Sequence, residues 1–268
     1  MRSRRRSGAG EPEAPSDARA RYRFPSSSRN WLLARLSRSD YQRLAAHLEP
    51  VEFSLGEVVY EADQPQSYLY FPTTSVVTLV YTTRSGISAE MGVVGNDGVV
   101  GVALYMGGRT QPHRALVRIA GGALRMKATA LRAEFDRRAR LQSLLLRYAQ
   151  ALLTQISQTA VCNSLHSVEQ RLCRWLLLCD DRVAIGELPL TQAIIAMMLG
   201  VRREAVTASA RRLQAAKCIN YSRGRIALLD RHGLESRVCE CYEVVRREGE
   251  RLLGSKQGAG SPSILSDR

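Results

Sequence analysis

The spacing of apolar residues divides the chain into a short helical start, a strand-rich front half and a helical back half. Residues 31 to 48 repeat apolar positions at helical spacing, with Ser39 or Asp40 as a suitable N-cap for the second half of this helix. From Val51, short β-branched or aromatic runs alternate with Gly, Pro, Asn and Asp, and GNDG at 95–98 is a strong turn signal. Regular short strands of this kind predict an antiparallel sandwich or barrel. The runs are VEF, EVVY, YLYF, SVVTLVYTT, SAEMGVV, ALVRIA and GALRM.

From Thr129 the apolar period becomes helical. The segment from Leu141 to Asn163 lacks Gly and Pro and carries one formal charge, Arg147. We expect a helix so poor in charge to bury more than one side, and therefore to lie between the sheet domain and a second subunit. Packing inside a single subunit is the alternative. The apolar stripe consists of Leu131, Phe135, Leu141, Leu145, Tyr148, Leu152 and Ile156.

A pair of short helices is predicted in the stretch LTQAIIAMMLGVRREAVTASARRL, residues 190–213. Thr191 is a good N-cap, and Gly200 can adopt the left-handed conformation that ends a helix. On a helical wheel, the inward positions of the second helix are Val206, Ser209, Ala210 and Leu213. The outward positions are Glu204, Thr207, Ala208, Arg211 and Arg212, with Arg202 and Arg203 near the N-terminal entrance. This arrangement is typical of a DNA recognition helix, although an ordinary helical hairpin has the same spacing.

The segment after this pair, INYSRGRIALLD, predicts a β-hairpin around Arg223 and Gly224. A helix pair followed by such a wing places Arg223 and Arg225 where the phosphates of bound DNA run. This observation favours DNA binding over a core hairpin. A helix is also predicted near Ser167, where Ser-Val-Glu-Gln offers a capping box, and a last helix from 235 to 253.

Composition supports a nucleic-acid partner. The net charge is +14, and because only three of the 39 basic residues are lysines, the excess is almost entirely arginine. A basic chain of this size indicates nucleic acid or an anionic membrane surface as partner, with scattered solvated charge as the alternative. No stretch approaches the roughly 18 consecutive apolar residues that a membrane helix requires. Residues 1–28 read as a disordered basic tail without a secretory signal, and we expect a cytoplasmic protein.

All six cysteines lie in the C-terminal half, and none forms a CxxC pair. We expect buried, reduced thiols, since free cysteine usually acts as a small hydrophobe. Cys239 and Cys241 supply only two ligands, which do not make a tetrahedral metal site, so the sequence assigns no metal and no cofactor. A redox role for this pair is the alternative.

The stretch LPLTQAIIAMMLGVRREAVTASARRLQAAKCINYSRGRIALLD resembles the winged-helix domain of the Crp/Fnr family of bacterial transcription regulators. ALYMGGRTQPHRALVRIAGGAL resembles the ligand-cassette end of that family's β-roll, and LLLRYAQALLTQISQTAVCNSLHSVEQRLCRWLL its dimer helix and the first helix of its DNA domain. The resemblance covers about residues 31–242. It implies an α+β fold, in which an N-terminal antiparallel β-roll of cupin-like or cyclic-nucleotide-binding type precedes a long dimerisation helix and a C-terminal winged helix-turn-helix.

The resemblance also divides the chain and assigns roles. It implies a sensor domain at 29–130, a dimerisation helix at 131–163, a DNA-binding domain at 164–242, and a C-terminal helix end and tail at 243–268. Arg203 and Glu204 match the base-reading Arg-Glu pair of the family, but Ala208 stands where its next base-reading arginine would be. We assign base readout to Arg203, Glu204 and Thr207, and phosphate contacts or secondary readout to Thr191, Arg202, Arg211, Arg223 and Arg225.

The predicted β-roll departs from the family's nucleotide sites. Gly101 keeps the cassette glycine, but Val102 replaces the ribose-binding glutamate, and His113-Arg114 stands where an Arg-Ser or Arg-Thr pair would hold the cyclic phosphate. Arg109 or Arg114 could still meet a phosphate. We therefore predict a candidate ligand pocket at Gly101, Arg109, His113 and Arg114, with an unknown small-molecule effector. An iron–sulfur sensor lacks cysteines before Cys162, and His47 and His113 are only isolated haem-ligand candidates.

Three functions compete at this point. The first is a homodimeric, sequence-specific transcription regulator that reads a two-fold symmetric site in double-stranded DNA, binds no membrane and contacts RNA polymerase. The second is an enzyme on a cupin-like β-roll, which the four scattered histidines and the absence of a phosphate loop or nucleophile elbow disfavour. The third is a protein-binding adaptor, against which Arg203, Glu204, Arg211 and the wing arginines argue.

Overall fold

The computed structural model describes residues 30–183 and 187–254. The predicted N-terminal helix is two helices, α1 (Trp31–Ala34) and α2 (Arg38–Ala45). Ser37 separates them, because its hydroxyl accepts the Asp40 amide at 3.0 Å and so begins a second helix. The N-cap of α2 is thus Ser37, and the expectation of Ser39 or Asp40 is wrong by two or three residues. The predicted basic tail at 1–28 lies outside the described residues, as does most of the C-terminal tail.

Seven strands follow, as the apolar runs predicted, and they form two antiparallel sheets. One has the order β1-β7-β3 and the other the order β2-β6-β4-β5. The side chains between them form the core of the β-roll, including the fully buried Leu69, Phe71, Val77 and Val117. The strands are β1 (Leu48–Phe53), β2 (Val58–Tyr60), β3 (Tyr68–Pro72), β4 (Val76–Thr82), β5 (Ser88–Val94), β6 (Arg114–Ile119) and β7 (Gly121–Lys127).

The turn predicted at 95–98 is present, and the Gly98 amide bonds the Gly95 carbonyl at 3.1 Å. The two glycines are required by close packing more than by backbone conformation. A Cβ on Gly98 would lie 2.3 Å from Tyr148, and one on Gly95 would lie 2.6 Å from Arg182. The turn therefore packs closely against side chains from two distant parts of the chain, Tyr148 and Arg182.

The single helix expected over 131–163 is interrupted. The structure has α3 (Ala128–Asp136) and α4 (Arg140–Leu165), and between them Arg138 adopts φ +53°, a left-handed conformation that no helix interior accommodates. One side of α4 packs on the β-roll, where the Gln155 side-chain amide bonds both the amide and the carbonyl of Val93 at 2.8 and 3.1 Å. In the described ranges 30–183 and 187–254, no helix is long and apolar enough to cross a membrane.

The C-terminal region is a helical domain with a small sheet of order β8-β10-β9. Its third strand, β8, was not predicted. The last helix expected over 235–253 is present, but it begins six residues later, at Cys241, because residues 236–240 are not helical. The elements are α5 (Val168–Asp180), β8 (Leu188–Pro189), α6 (Gln192–Leu199), α7 (Arg203–Ala215), β9 (Ile219–Ser222), β10 (Arg225–Leu228), α8 (Arg231–Glu235) and α9 (Cys241–Leu253). The capping box predicted at Ser167 begins α5.

The C-terminal domain packs directly on the β-roll. Trp175 on α5 donates its indole N–H to Glu90 on β5 at 2.7 Å, and Arg182 forms an ion pair with Asp97 at 2.9 Å. Val76 and Val93 of the β-roll belong to the same apolar cluster as the core of the C-terminal domain. We call this contact the junction; it joins β4, β5 and the turn at 95–98 to α5 and Arg182.

Candidate nucleic-acid interface

The α6–α7 pair has the tight connection that the sequence predicted. Thr191 caps α6, accepting the Ile194 amide through its hydroxyl at 3.2 Å. Gly200 ends α6 with φ +61° and ψ +38°, so the chain reverses at a left-handed position that glycine occupies without a Cβ penalty. Arg202 is the N-cap of α7 and its side chain makes no capping hydrogen bond, although its main-chain carbonyl accepts the Ala205 amide at 3.2 Å.

The inward face of α7 is the predicted one. Val206, Ser209, Ala210 and Leu213 are all at most 2% exposed, and Val206 and Leu213 pack into the apolar core of the C-terminal domain. This burial turns the opposite face of α7 outward. The exposed residues of that face are Glu204, Ala208, Arg211 and Arg212, with Arg202 and Arg203 at the N-terminal end.

Two of the three predicted base-reading residues are held by a side chain that the sequence analysis did not single out. Gln192, in the first turn of α6, accepts a hydrogen bond from Thr207 at 2.8 Å and one from Arg203 Nε at 3.4 Å. Thr207 is consequently half-buried and oriented, whereas Glu204 is exposed in the first turn of α7. The sequence signal that could have identified Gln192 is its position. It is a polar residue directly after the N-cap of α6, on a helix that packs against a second helix.

The wing is the β9–β10 hairpin, and it places arginine beside the two helices. Arg223 and Gly224 form its two-residue turn with φ of +48° and +73°, the two successive left-handed residues of a type I′ turn. The turn borders an open groove of about 460 Å³. We call this the wing groove, and its lining residues are Thr191, Gln192, Arg203, Tyr221, Ser222, Arg223 and Gly224.

The arginines of this surface differ in whether they have a partner. Arg212 pairs with Glu169, and Arg225 pairs with Glu187 at 2.7 Å. Within residues 30–183 and 187–254, no carboxylate oxygen lies within 4.0 Å of a guanidinium nitrogen of Arg202, Arg203, Arg211 or Arg223. The side of the C-terminal domain formed by α7 and the wing thus presents uncompensated positive charge in high-dielectric surroundings, where phosphate is the matching ligand.

The four predicted pocket residues of the β-roll do not form an equivalent exposed set. His113 is buried, its Nε2 lies 2.9 Å from the Tyr60 hydroxyl, and burial lowers the pKa of His113. Gly101 has φ +111° and begins the short 3-10 helix Val102–Tyr105. Arg109 is exposed, although its main-chain carbonyl accepts the Gln66 amide at 2.8 Å. Arg114 is half-buried at the start of β6.

The cysteines are buried and unpaired by disulfides, as expected. The view of Cys239 and Cys241 as two isolated ligands is wrong, however. Helix α4 brings Cys162 and His166 to them, and the four ligand atoms lie within 4.8 Å of one another. The spacing of Cys162 and His166, four residues apart at the C-terminal end of α4, was the local signal for this cluster.

Comparison with known proteins identifies the type of the C-terminal domain. Residues 170–237 match the family model of the Crp-like helix-turn-helix domain. No protein of curated function matches the chain by sequence. The resemblance of the C-terminal domain to the Crp/Fnr winged helix is confirmed by the family model.

Solved structures extend the likeness to the rest of the fold. FixK2 from Bradyrhizobium japonicum superposes with a TM-score of 0.62 at 18% identity, over 72% of this chain and 98% of that chain. The c-di-GMP responsive global regulator CLP from Xanthomonas campestris gives 0.57 at 17%, over 72% and 99%. A CRP-family transcriptional regulator from Thermus thermophilus gives 0.57 at 18%, over 78% and 99%. The predicted fold, an antiparallel front half and a C-terminal Crp-like helix-turn-helix, is therefore confirmed.

Proposed function

We propose that this protein is a sequence-specific transcription regulator of the Crp/Fnr type, with α7 as the helix that enters the major groove of double-stranded DNA. The observation that carries the proposal is the unpaired arginine surface of α7 and the wing, built on a Crp-like helix-turn-helix. An apolar inner face fixes α7 to the domain and leaves its polar N-terminal end exposed, which is the arrangement a groove-reading helix requires.

The residues divide into two roles. Arg203 and Glu204, at the exposed start of α7, reach base edges together with Thr207, since arginine suits guanine and glutamate accepts from cytosine. Thr191, Arg202, Arg211, Arg223 and Arg225 contact phosphates or add secondary readout, and Arg225 exchanges Glu187 for a phosphate on binding. Ala208 has no hydrogen-bonding side chain, so the recognised sequence differs from that of family members with arginine there.

The working form is a homodimer, for which the face of α4 turned away from the β-roll provides the contact. Leu153 is 58% and Leu165 75% exposed on this helix, and Leu146 and Val161 are also open to solvent. Leu146 and Leu153 are one heptad apart, which is the spacing of a helix–helix seam. A second copy of this chain covers them by two-fold symmetry, and the dimer presents two α7 helices to a symmetric DNA site.

Regulation and location complete the proposal. The protein acts in the cytoplasm, where DNA and RNA polymerase are found, and is not an enzyme. A small-molecule effector at the β-roll, beside Gly101, Arg109, His113 and Arg114, controls it. The adaptor and cupin-like enzyme alternatives remain distinguishable from this function, because neither requires DNA binding.

Selection of bound duplexes from a random library, followed by fluorescence anisotropy at several salt concentrations, tests the proposal. We expect enrichment of a two-fold symmetric sequence, with log affinity falling steeply against log salt. The matched control is Arg132→Ala, which removes an exposed arginine on α3 and should leave binding unchanged. No enriched sequence together with weak, salt-insensitive binding would overturn the proposed function.

A further inference from the structure

Four metal-binding side chains converge where the dimerisation region meets the C-terminal domain. Cys162 lies in the last turn of α4 and His166 is the C-cap residue of that helix, whereas Cys241 is the first residue of α9 and Cys239 lies two residues before it. The three thiols are at most 3% exposed, and the His166 side chain is 13% exposed. Three cysteines and one histidine that enclose a single point are the ligand set of a structural zinc site.

Two of the six ligand-atom distances match tetrahedral coordination. Cys162 Sγ lies 3.5 Å from Cys239 Sγ, and Cys241 Sγ lies 3.6 Å from His166 Nδ1. Zinc–sulfur bonds of about 2.3 Å and zinc–nitrogen bonds of about 2.0 Å, at tetrahedral angles, place neighbouring ligand atoms roughly 3.5 to 3.8 Å apart. The remaining distances are at most 4.8 Å, so small side-chain rotations bring all four atoms to one ion. A plain apolar thiol cluster has no reason to direct an imidazole nitrogen into it.

A neighbouring carboxylate orients the histidine. Glu240 lies 3.3 Å from His166 Nε2, on the side of the ring away from the thiols. With its proton on Nε2 donated to Glu240, the neutral ring keeps the lone pair of Nδ1 for a metal. Histidine ligands usually donate their second ring nitrogen in this way, which fixes the tautomer and raises ligand basicity.

Positive charge lies near the cluster. Two buried cations on α5, Arg171 and Arg174, are close to it, and Arg174 donates to Thr159 Oγ1, one turn before Cys162, at 2.8 Å. Three thiolates and one Zn²⁺ carry a net charge of −1, which these guanidinium groups offset.

From this geometry we propose that Cys162, His166, Cys239 and Cys241 form a structural Zn²⁺ site that ties the end of α4 to the start of α9. All four positions belong to the protein, so no coordination position remains for substrate. Because Ser167 begins α5 directly after His166, the ion fixes the chain where the C-terminal domain leaves the dimerisation helix. The inference does not depend on DNA binding.

The metal content of the full chain, purified without chelator and measured by mass spectrometry, tests the site. We expect about one zinc per chain in the wild type and roughly a tenth of that or less in Cys239→Ser. The control is Cys218→Ser, which alters a buried cysteine of the same domain outside the cluster and should keep the zinc. Zinc at the wild-type level in Cys239→Ser would overturn the proposal.

A second measurement covers the case in which Cys239→Ser does not fold. Co²⁺ added to the reduced, metal-stripped full chain should give the visible absorption of tetrahedral cobalt and a thiolate charge-transfer band. Substitution His166→Gln should abolish these bands, and His166→Cys should retain them in altered form. Absence of a thiolate–cobalt band in the wild type, or a Cys162–Cys239 disulfide in protein purified anaerobically under reducing conditions, would overturn the site.

Discussion

Arginine serves two different purposes in two regions of this protein. On α7 and the wing, Arg202, Arg203 and Arg211 are exposed and have no carboxylate partner in the described part of the chain. At the junction, Arg182 is only 5% exposed, pairs with Asp97 at 2.9 Å and donates to the Leu178 carbonyl at 2.7 Å. The same side chain is thus a ligand-facing group in one region and a connection between domains in the other.

Desolvation explains the difference. An exposed guanidinium keeps its hydration, so it contributes little to folding and is free to exchange water for phosphate. A buried guanidinium has lost its water and depends on its partners, so removing one member of such a pair leaves an uncompensated charge. Mutations at the junction should therefore affect stability, and mutations on α7 and the wing should affect DNA binding.

The largest effect is expected from Arg182→Ala. This change removes the ion pair across the junction and leaves the Asp97 carboxylate without its cationic partner. We therefore expect the free energy of unfolding to fall by about 3 kcal/mol. Chemical denaturation measures it. The matched change Arg211→Ala should stay within about 0.5 kcal/mol of the wild type. Equal losses in the two variants would remove the distinction between the regions.

The second effect concerns Glu90, whose carboxylate accepts the Trp175 indole at the junction. Burial raises the pKa of Glu90 to about 8, despite the nearby guanidinium groups of Arg118, Arg174 and Arg182. The folded state therefore holds a proton that the unfolded chain releases, and stability falls as pH rises through this range. We expect Glu90 to contribute a decrease of about 3 kcal/mol between about pH 5 and pH 8.

Denaturation of Glu90→Gln across that pH range measures this contribution, because glutamine keeps an acceptor for Trp175 but does not titrate. The pH dependence should flatten in this variant. It should persist in Glu61→Gln, which changes an exposed carboxylate outside the junction. Identical pH profiles of the wild type and Glu90→Gln would contradict the assignment.

Arg203→Ala should have an intermediate effect, and on binding only. Loss of a bidentate contact to guanine lowers affinity for the selected site by about 2 kcal/mol, or about 30-fold, and relaxes the preference at one base pair of each half-site. Anisotropy with a panel of single-base variants measures both. If the preference at every base pair stays as in the wild type, Arg203 does not read bases.

Arg223→Ala should have the smallest effect. The residue lies at the tip of the wing, where we propose a contact with a phosphate, so affinity should fall by less than about 1 kcal/mol for all sequences alike. The slope of log affinity against log salt should decrease in magnitude by about one. A loss of affinity that depends on the DNA sequence would instead indicate that the wing reads bases.

Much of the fold could be predicted because it follows from local patterns. The seven strands of the β-roll and the inward face of α7 are visible as periodicity, and the C-cap at Gly200 follows from the chemistry of one residue. Errors occurred where local signals compete. The apolar stripe from Leu131 to Ile156 has a gap of six residues between Phe135 and Leu141, and the left-handed Arg138 in that gap separates α3 from α4.

The candidate DNA surface was equally accessible, because its residues lie close together in sequence. Arg203, Glu204 and Thr207 share one helix, and Arg223 follows in the next hairpin. Gln192 was missed because its role is to hold Arg203 and Thr207, which only the packing of α6 against α7 reveals. The four predicted pocket residues of the β-roll also lie close together in sequence, but their different burial depends on packing that the sequence does not show.

The sequence by itself determined most of the helices and strands, and which side of α7 faces the core. Tertiary structure decided that Gly95 packs against Arg182 and Gly98 against Tyr148. It also decided that Cys162 and His166 lie next to two cysteines more than 70 residues away in the chain. The physical reason is that periodicity reports only whether a side of an element is apolar. Which element covers that side depends on packing between segments distant in the chain.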